Sequence, residues 1–428
     1  MISQYKSLPK NWILTKIEDI CTNPQYGYTT KASQGGNLKL LRTTDITSGR
    51  INWNKVPYCT KNPDDTGKYL LKDEDIVISR AGSVGVSYLI KNPEKAIFAS
   101  YLIRFKPLIN KKYFKYFLDS PFYWNSISEK KLGIAVPNVN ANKLKSIIIP
   151  LSPLDEQNRI VEKIEELFSD LDKATEDLKK TKEQLKIYRQ AVLKAAFEGK
   201  LTEKWRVQNS IELLFEEVLL KDITDIIMGQ SPPSSTYNTN KVGLPFYQGK
   251  KEFGDLFPTP EKYCSEPKKI AESNDILISV RAPVGPTNIC KEKSCIGRGL
   301  AAIRTKEKIE KYYLFYYLKY FVFDLIEKST GTTFNAISKD TLESFKVSLF
   351  SLLEQQQIIK EIESRLSVCD KLEETIQQSL NKIEYLRQSI LKKAFEGKLV
   401  PQDLNDLPAC ELLKQIKIEK DKMSKNGK

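Results

Sequence analysis

DEQNRIVEKIEELFSDLDKATEDLKKTKEQLKIYRQAVLKAAFEGKL, from Asp155 to Leu201, returns as LEQQQIIKEIESRLSVCDKLEETIQQSLNKIEYLRQSILKKAFEGKL, from Leu353 to Leu399. The two stretches align without a gap at an offset of 198, as Glu156 and Glu354 show. An internal repeat of this length outranks any local motif. In the first copy Ile160, Ile164, Leu167, Leu171, Ala174, Leu178, Thr181, Leu185, Tyr188, Val192 and Ala195 are spaced alternately by four and three. That is an unbroken seam over about five heptads, the signature of a coiled coil. In the second copy Ile358, Ile362, Cys369, Leu372, Ile376, Ile383, Leu386 and Ile390 fall on the same seam, and Arg365, Ser379 and Lys393 interrupt it. Neither copy holds Pro or Gly before the shared FEGKL ending, where Gly199 and Gly397 read as C-terminal stops. About 45 residues at 1.5 Å each give a rod of roughly 65–70 Å.

Working outward, the chain divides into a globular segment at 1–152, a rod at 153–202, a second globular segment at 203–350, a second rod at 351–400 and a Lys-rich tail at 401–428. Packed seam to seam with short connections, the rods must run antiparallel, with the globular segments at opposite ends and a pseudo-two-fold axis between them. In the first segment Leu38–Arg42, Asp75–Ser79 and Ile147–Leu151 have strand character, RAGSVG (Arg80–Gly85) is a turn between strands, and Lys111–Leu118 reads as a helix. Pro150 and Pro153 mark the boundary with the rod. The second segment repeats the plan. Asp275–Ser279 matches Asp75–Ser79, Val284–Gly285 matches Val84–Gly85, and Tyr313, Tyr316 and Leu318 match Tyr113, Tyr116 and Leu118. Further along, Gly331, Ile337, Leu342 and Leu349 match Gly133, Val139, Leu144 and Leu151. The expected fold class is α+β: two pseudo-repeated mixed α/β domains separated by two long antiparallel coiled-coil helices. The frames repeat while the loops diverge. YGYTTKASQGG in the first segment has no similar partner, and MGQSPPSSTYNTN stands in the comparable place. Glu411–Leu413 echoes Glu212–Leu214, so the tail begins a short helix before fraying.

Charge is unevenly spread over the 428 residues. Residues 1–152 carry 23 Lys and Arg against 11 Asp and Glu, whereas residues 203–350 carry 21 against 19. The rods are nearly neutral, as suits helices that meet protein. A basic domain suggests a polyanion, of which nucleic acid is the commonest. There is no histidine, which removes Ser–His and Cys–His catalysis and His metal sites. The seven cysteines form no CxxC pair, and their odd number without a signal sequence indicates reduced thiols in a cytoplasm. The most apolar run, Tyr312 to Ile326, contains Lys319 and Asp324 and is too short to span a bilayer. It reads as a buried amphipathic helix, and no membrane partner is expected.

No constellation has a catalytic pattern. Ser231-Pro232-Pro233-Ser234 is superficially like the Pro-Pro-aromatic loop of amino-methyltransferases, but Ser234 replaces the aromatic, and no Gly-rich nucleotide loop follows a strand. Gly297-Arg298-Gly299 lacks the Lys-Ser/Thr of a phosphate loop. Asp73, Glu74 and Asp75 are adjacent, so on a strand they alternate faces and do not cluster around a metal. Residues suited to recognition are more abundant. Around the first segment's turns lie Tyr26, Tyr28, Thr29, Lys31, Arg42, Thr43, Thr44, Arg80 and Ser83. Around the second's lie Gln230, Ser231, Ser234, Tyr237, Gln248, Lys250, Arg281 and Arg298. Arg, Lys and Gln can pair bidentately with base edges, and Thr, Ser and Tyr suit phosphate or methyl contacts.

Two divergent globular segments separated by near-identical helices ending in AFEGKL (Ala196–Leu201 and Ala394–Leu399) resemble the specificity subunit of Type I restriction–modification systems. The Glu-Gln starts (Glu156-Gln157 and Glu354-Gln355) and the pieces GQSPPSSTYN (Gly229–Asn238), LISVRAPVG (Leu277–Gly285) and IGRGLAAI (Ile296–Ile303) carry the resemblance further, over essentially the whole chain. It implies that each globular segment is a target recognition domain reading one half of a split double-stranded DNA sequence. It also implies that the paired helices set the spacing and dock two methyltransferase subunits, through which motor–nuclease subunits join. The ending residues Phe197, Glu198, Gly199, Lys200 and Leu201, with Phe395, Glu396, Gly397, Lys398 and Leu399, become the expected docking contacts. No active site, metal or cofactor is expected on this chain; S-adenosylmethionine, ATP and Mg belong to partner subunits. At 3.4 Å per base pair, a rod of roughly 65–70 Å limits the separation of the half-sites to about 20 base pairs. Two other readings compete: a stand-alone nuclease or methyltransferase, active as a single chain with metal or methyl donor, and a tether whose DNA affinity is indifferent to sequence and collapses with salt.

Overall fold

The strand Ile-Val-Ile-Ser at 76–79 carries apolar side chains on both faces, Ile76 and Ile78 on one and Val77 on the other, so a layer must cover each. The computed structural model, which describes residues 8–131, 138–321 and 336–426, shows both layers. Ile76 and Ile78 face a helical core, while Val77 on the opposite face packs into a second core with Leu41, Phe98 and Leu102. The counterpart Ile276–Ser279 does the same: Ile276 and Ile278 face helices, and Leu277 packs with Tyr247, Ile296 and Ala302. Gly133, Gly331 and the end of the apolar run beyond Phe321 lie outside the described residues.

In chain order the elements are β1 (Ile13–Lys16), α1 (Ile17–Ile20), β2 (Gln25–Tyr26), β3 (Ala32–Ser33), β4 (Lys39–Leu41), α2 (Thr43–Ile46), β5 (Tyr58–Cys59), α3 (Thr66–Tyr69), β6 (Ile76–Ser79), β7 (Ser87–Leu89), β8 (Ala96–Phe98), β9 (Leu102–Phe105), α4 (Lys111–Asp119), α5 (Pro121–Lys131), α6 (Ala141–Lys145), β10 (Ile148–Leu151) and the long α7 (Leu154–Phe197). There follow α8 (Glu203–Asn209), β11 (Phe215–Leu219), α9 (Leu220–Ile223), β12 (Thr224–Met228), β13 (Tyr237–Asn238), β14 (Leu244–Tyr247), β15 (Lys262–Cys264), β16 (Ile270–Ala271), β17 (Ile276–Ser279), β18 (Thr287–Ile289), β19 (Ser294–Ile296), β20 (Leu300–Thr305), α10 (Lys311–Tyr320), α11 (Lys339–Glu343), β21 (Lys346–Phe350), α12 (Leu352–Phe395) and α13 (Ala409–Asn426). The chain forms two compact units, one of Met1–Asp177 with Gln378–Lys428 and one of Leu178–Gln377.

The first unit holds the sheets β2-β9-β6-β7 and β3-β5-β4-β8 and the pair β1-β10. The second holds β12-β20-β17-β18, β13-β15-β14-β19-β16 and the pair β11-β21. In each, one parallel pairing (β4 with β8, β14 with β19) stands among antiparallel ones, which makes the architecture mixed α+β as expected. A buried Asp opens the shared central strand in both. Asp75 accepts from Arg104 at 3.0 Å and from Lys72 N, and Asp275 accepts from Arg304 at 2.9 Å and from Glu272 N.

Both long helices run 44 residues without a break, and they pair antiparallel within each unit. In the first unit Asp172 meets Arg387 at 2.6 Å; in the second Arg189 meets Asp370 at 2.6 Å, so one index rises as the other falls. The seam is less covered than the heptads suggest. Ile160, Ile164 and Val192 are buried, but Leu167, Leu171 and Leu185 are half-buried and Thr181 and Tyr188 are exposed. Arg189 and Arg387 lie along the flanks of the seam, and Arg387 rests on the Phe168 ring 4.9 Å from its centroid.

The repeated Glu-Gln starts have a structural cause. Gln157 Oε1 accepts from Asn110 N and its amide donates to Ser152 O; Gln355 Oε1 accepts from Glu310 N and its amide donates to Lys308 O and Phe350 O. Each glutamine ties the start of a rod to the start of α4 or α10. The neighbouring glutamates are buried acceptors. Glu156 takes Trp12 Nε1 at 2.8 Å and Gln402 Nε2 at 2.6 Å, and burial pushes its carboxyl up while these donors pull it down. Glu354 takes Thr202 Oγ1 and a guanidinium, that of Arg206.

The tail differs from expectation. Rather than a short fraying helix, α13 runs 18 residues, because Ala409, Leu412 and Ile416 share one face and bury it in the first unit's core. Six of the seven cysteines are buried, Cys410 is exposed, and none is paired. No described helix is long and apolar enough to cross a membrane.

Candidate nucleic-acid interface

Both units present loops at one corner of the repeated frame. In the first, Gly27 N donates to Leu102 O and Tyr28 N to Phe98 O; in the second, Gly229 N donates to Leu300 O and Gln230 N to Ile296 O. YGYTT and MGQSP are therefore the same backbone segment, with Tyr28 equivalent to Gln230 and Thr29 to Ser231. The shared glycine is required by close approach: a Cβ at Gly27 would overlap the carbonyls of Phe98 and Ala99, and one at Gly229 those of Gly297 and Leu300. A second loop crosses beside the first. Arg80 N donates to Tyr101 O at 2.9 Å, and Val280 N to Gly299 O at 2.9 Å, so Tyr101 is equivalent to Gly299 and Ser100 to Arg298.

In the first unit this geometry gathers Tyr26, Thr43, Arg80, Ser83 and Tyr101. The Arg80 guanidinium lies 5.1 Å from the Tyr26 ring centroid, and the Tyr26 hydroxyl accepts from Ala141 N at 2.9 Å. Arg80 Nε and Thr43 Oγ1 are buried with no hydrogen-bond partner. Thr29, Thr44 and Ser83 are exposed at the rim. Arg42 is occupied: its fork engages Asp45 at 3.0 and 2.8 Å, and that bond raises its pKa. Tyr28 turns its ring inward, 5.3 Å from that of Tyr69, in a small core with Leu38 and Leu40. Lys31 is exposed farther along, on the segment whose carbonyl accepts from Thr60.

In the second unit Gln230, Ser231, Gln248, Arg281 and Arg298 come together. Arg298 N donates to Ser231 Oγ at 3.2 Å, and Gly299 packs against the Gln248 carbonyl. The side chains of Gln230, Gln248, Arg281 and Arg298 are exposed. Arg80 and Arg281, alike in sequence context, are not equivalent. Ser79 Oγ donates to Ala81 O and Ser279 Oγ to Arg281 O, so Arg281 occupies the place of Ala81 and Arg80 that of the buried Val280. Lys250 is exposed on the turn after Gln248, and Ser234 is exposed on a short 3-10 turn. Tyr237 is internal: its ring stacks on Phe246 at 4.6 Å, its hydroxyl donates to Pro232 O, and burial raises its pKa.

Tyr101 was not foreseen. It is 62% exposed beside Arg80, because the bend between β8 and β9 turns the ring out of the mostly apolar stretch FASYLIRF. A serine before it was the one signal of a turn.

The shared ending AFEGKL acts inside each unit. Phe395 packs on Tyr113 and Phe117 at 5.0 and 5.4 Å, and Phe197 on Tyr313 and Tyr317 at 5.5 and 4.9 Å. Gly199 and Gly397 stop the helices at φ of +71° and +68°. Lys200 N then donates to Ala195 O and Lys398 N to Lys393 O. The expectation that the two phenylalanines meet a partner is corrected here, because their rings are buried in their own units. Leu201, Leu399, Glu396 and Gly397 are half-buried; Glu198, Lys200 and Lys398 are exposed and pair locally, Lys200 with Glu198 and Lys398 with Glu396. Besides Leu154 and Leu352 at their starts, the rods expose an equivalent apolar pair in both copies, Ile187-Tyr188 and Tyr385-Leu386. No group of His, Cys, Asp or Glu among the described residues could hold a metal ion.

Residues 9–186 and 213–382 match the family described as the Type I restriction modification DNA specificity domain. The chain is 34% identical to a putative type I restriction enzyme MjaX specificity subunit of Methanocaldococcus jannaschii, over 92% of this chain and 94% of that one. It is 26% identical to the type I restriction enzyme EcoKI specificity subunit of Escherichia coli, over 96% of each. Among solved structures, a chain from a study of complex assembly and conformational transition of the type I R-M system superposes with a TM-score of 0.74 at 30% identity, covering 92% of this chain and all of that one. The HsdS subunit from Thermoanaerobacter tengcongensis superposes with a TM-score of 0.59 at 29% identity, over 92% and 98%.

Proposed function

The chain belongs to the Type I restriction–modification DNA specificity family, and from that premise we propose that its two globular segments, 1–152 and 203–350, each read one half of a bipartite double-stranded DNA target. The observation that carries this reading is the pair of equivalent loop corners. One backbone frame presents Tyr26, Arg80 and Tyr101 in one unit and Gln230, Gln248 and Arg298 in the other. A constant frame fixes where the loops meet the duplex, and unlike side chains select unlike bases. The asymmetry of the target follows from the asymmetry of the corners. The first unit's basic excess supplies most of the phosphate attraction, which falls with salt.

The chain itself carries out no chemistry in this reading. Base methylation uses S-adenosylmethionine on two methyltransferase subunits, and ATP- and Mg-dependent motor–nuclease subunits join through them, in the cytoplasm. The exposed pairs Ile187-Tyr188 and Tyr385-Leu386, rather than Phe197 and Phe395, supply the apolar contacts for methyltransferase helices along the rods, with Glu198, Lys200 and Lys398 at their ends.

The test is to co-express the chain with the methyltransferase subunit of its own system in a methylation-free host and to sequence the modified bases. One bipartite motif is expected. Exchanging 203–350 for the corresponding segment of a relative is expected to alter one half of that motif and leave the other intact; a change in both halves overturns the assignment. Methylation indifferent to sequence returns the tether reading. Within the assembled complex, Arg298→Ala is expected to weaken binding to the cognate duplex by about 1–3 kcal/mol and relax one base position. Arg42→Ala, whose fork is already on Asp45, is expected to change binding by less than that. Duplex titration at fixed salt separates the two.

A further inference from the structure

In the first unit the outer side of β1 and α1 is covered by α13. Ala409, Leu412 and Ile416 enter the core that contains Ile17, Ile20 and Trp12. Ala409 N donates to Asn11 O at 3.0 Å, and Lys420 Nζ reaches the carbonyl of Glu18. The second unit builds the same platform. β11 pairs with β21 so that Leu219 stands opposite Lys346, as Lys16 stands opposite Ile148, and α9 follows β11 directly as α1 follows β1. In this register Phe215 is the counterpart of Trp12.

Among the second unit's described residues the cover is missing over part of this face: Leu220 and Ile223, in the places of Ile17 and Ile20, are buried, but the start of β11 before them is open. Trp12 is 5% exposed, but Phe215 is 51% exposed, Leu214 71% and Leu213 46%. A groove of about 770 Å³ runs beside them, walled by Leu214, Phe215, Leu349, Phe350 and Leu352. Contiguous exposed leucine and phenylalanine next to a groove mark an interaction surface. The rim is mostly acidic: Glu216 and Glu307 border the groove, with Lys308 the one base there, and Glu212 precedes the leucines.

We propose that this face docks an amphipathic helix of a partner protein, with apolar residues spaced by three and four as in α13 and with lysine or arginine toward Glu212, Glu216 and Glu307. The repeat says what kind of object fits: in the equivalent place it is a helix, held by Ala409, Leu412 and Ile416. The chain's own α13 is already engaged by those three residues in the first unit. The acidic rim selects a basic helix, since each acidic residue left without a partner would oppose an acidic one.

The probe is a labelled synthetic peptide of residues 408–426 carrying Glu411→Gln and Glu419→Gln, titrated into the full-length chain by fluorescence anisotropy. Saturable binding is expected. It should weaken at least tenfold in a Leu214→Glu, Phe215→Glu chain, and should be unchanged in a Leu404→Glu chain, whose substituted residue is 92% exposed in the other unit. Thermal melts of both variants should match the parent, because the substituted side chains are exposed. Three results overturn the proposal. The first is absence of binding at about 1 mM peptide, near −4 kcal/mol. The second is equal binding to the Leu214→Glu, Phe215→Glu chain. The third is self-association of the full chain that disappears in the Leu214→Glu, Phe215→Glu chain, which would make a second copy the occupant.

Discussion

Arg206→Met lowers the stability of the second unit by about 3–5 kcal/mol, the usual consequence of leaving a buried charge without its partner. Glu354 is 2% exposed at its side chain and Arg206 8%. Arg206 Nη1 contacts both Glu354 Oε1 at 2.5 Å and Thr202 Oγ1 at 2.7 Å, and Thr202 donates to the same carboxylate. Methionine fills similar volume but strands the carboxylate. For a unit of this size, each kcal/mol moves the melting temperature about 2–4 °C, so a fall of roughly 6–20 °C is expected by calorimetry. Adding Glu354→Gln should restore most of it, because the charge that needed Arg206 is gone. A single substitution that leaves the second unit's melting unchanged would mean that the pair is solvated and contributes little. The first unit offers an internal control. Its equivalent Glu156 is held by Trp12 and Gln402, both neutral, so the same Arg206 substitution leaves that unit's transition in place.

Gly229→Ala abolishes recognition of one half-site while leaving the other legible. The added Cβ would overlap backbone carbonyls of Gly297 and Leu300, which cannot yield without moving the loop that carries Arg298. Gln230, Ser231 and Arg298 shift together, so two or more base contacts, each about 1–3 kcal/mol, are lost at once. A fall of about 30-fold or more in affinity for the cognate duplex is expected on that basis. In methylome sequencing, modification should either vanish or become indifferent to the bases read by the second unit. Gly27→Ala should do the same for the first unit, where the overlap is with Phe98 and Ala99. Retained specificity for both halves in either variant would place base reading elsewhere on the frame.

The parts of this architecture that could be read in the sequence are those encoded locally. The rods announce themselves by heptads and by repetition, and the apolar runs Ile76–Ile78 and Ile276–Ile278 announce strands covered on both sides. The parts that stayed hidden depend on partners distant along the chain. Nothing near Glu156 or Glu354 says that one faces an indole 144 positions back and the other a guanidinium 148 positions back. Tyr28 and Tyr237 are expected at the interface because they lie at predicted turns and tyrosine suits phosphate or methyl contacts, but small local cores at Tyr69 and Phe246 claim their rings. Phe197 and Phe395 were expected to meet partners because they sit in a motif shared by both rods; the motif is shared because each rod must end on the same kind of aromatic helix. Tyr101 stands in a stretch that carries no motif, and only the bend between β8 and β9 exposes its ring.

The first unit is assembled from both termini of the chain: its core needs Phe395, Ala409, Leu412 and Ile416 as well as residues before Asp177. The second is one uninterrupted segment, Leu178 to Gln377. During translation the second unit can therefore close as soon as it has emerged, while the earlier-made one waits. At about 5–20 residues per second, the intervening 200 residues take on the order of 10–40 s to synthesise. For that interval Tyr113, Phe117 and Ile20 lie open on the ribosome-bound chain. A premature stop just after Gln377 would release a protein whose later half is finished and whose earlier half has no lid for its core. Quality control would meet such a product as a half-folded chain rather than as a shortened but sound one.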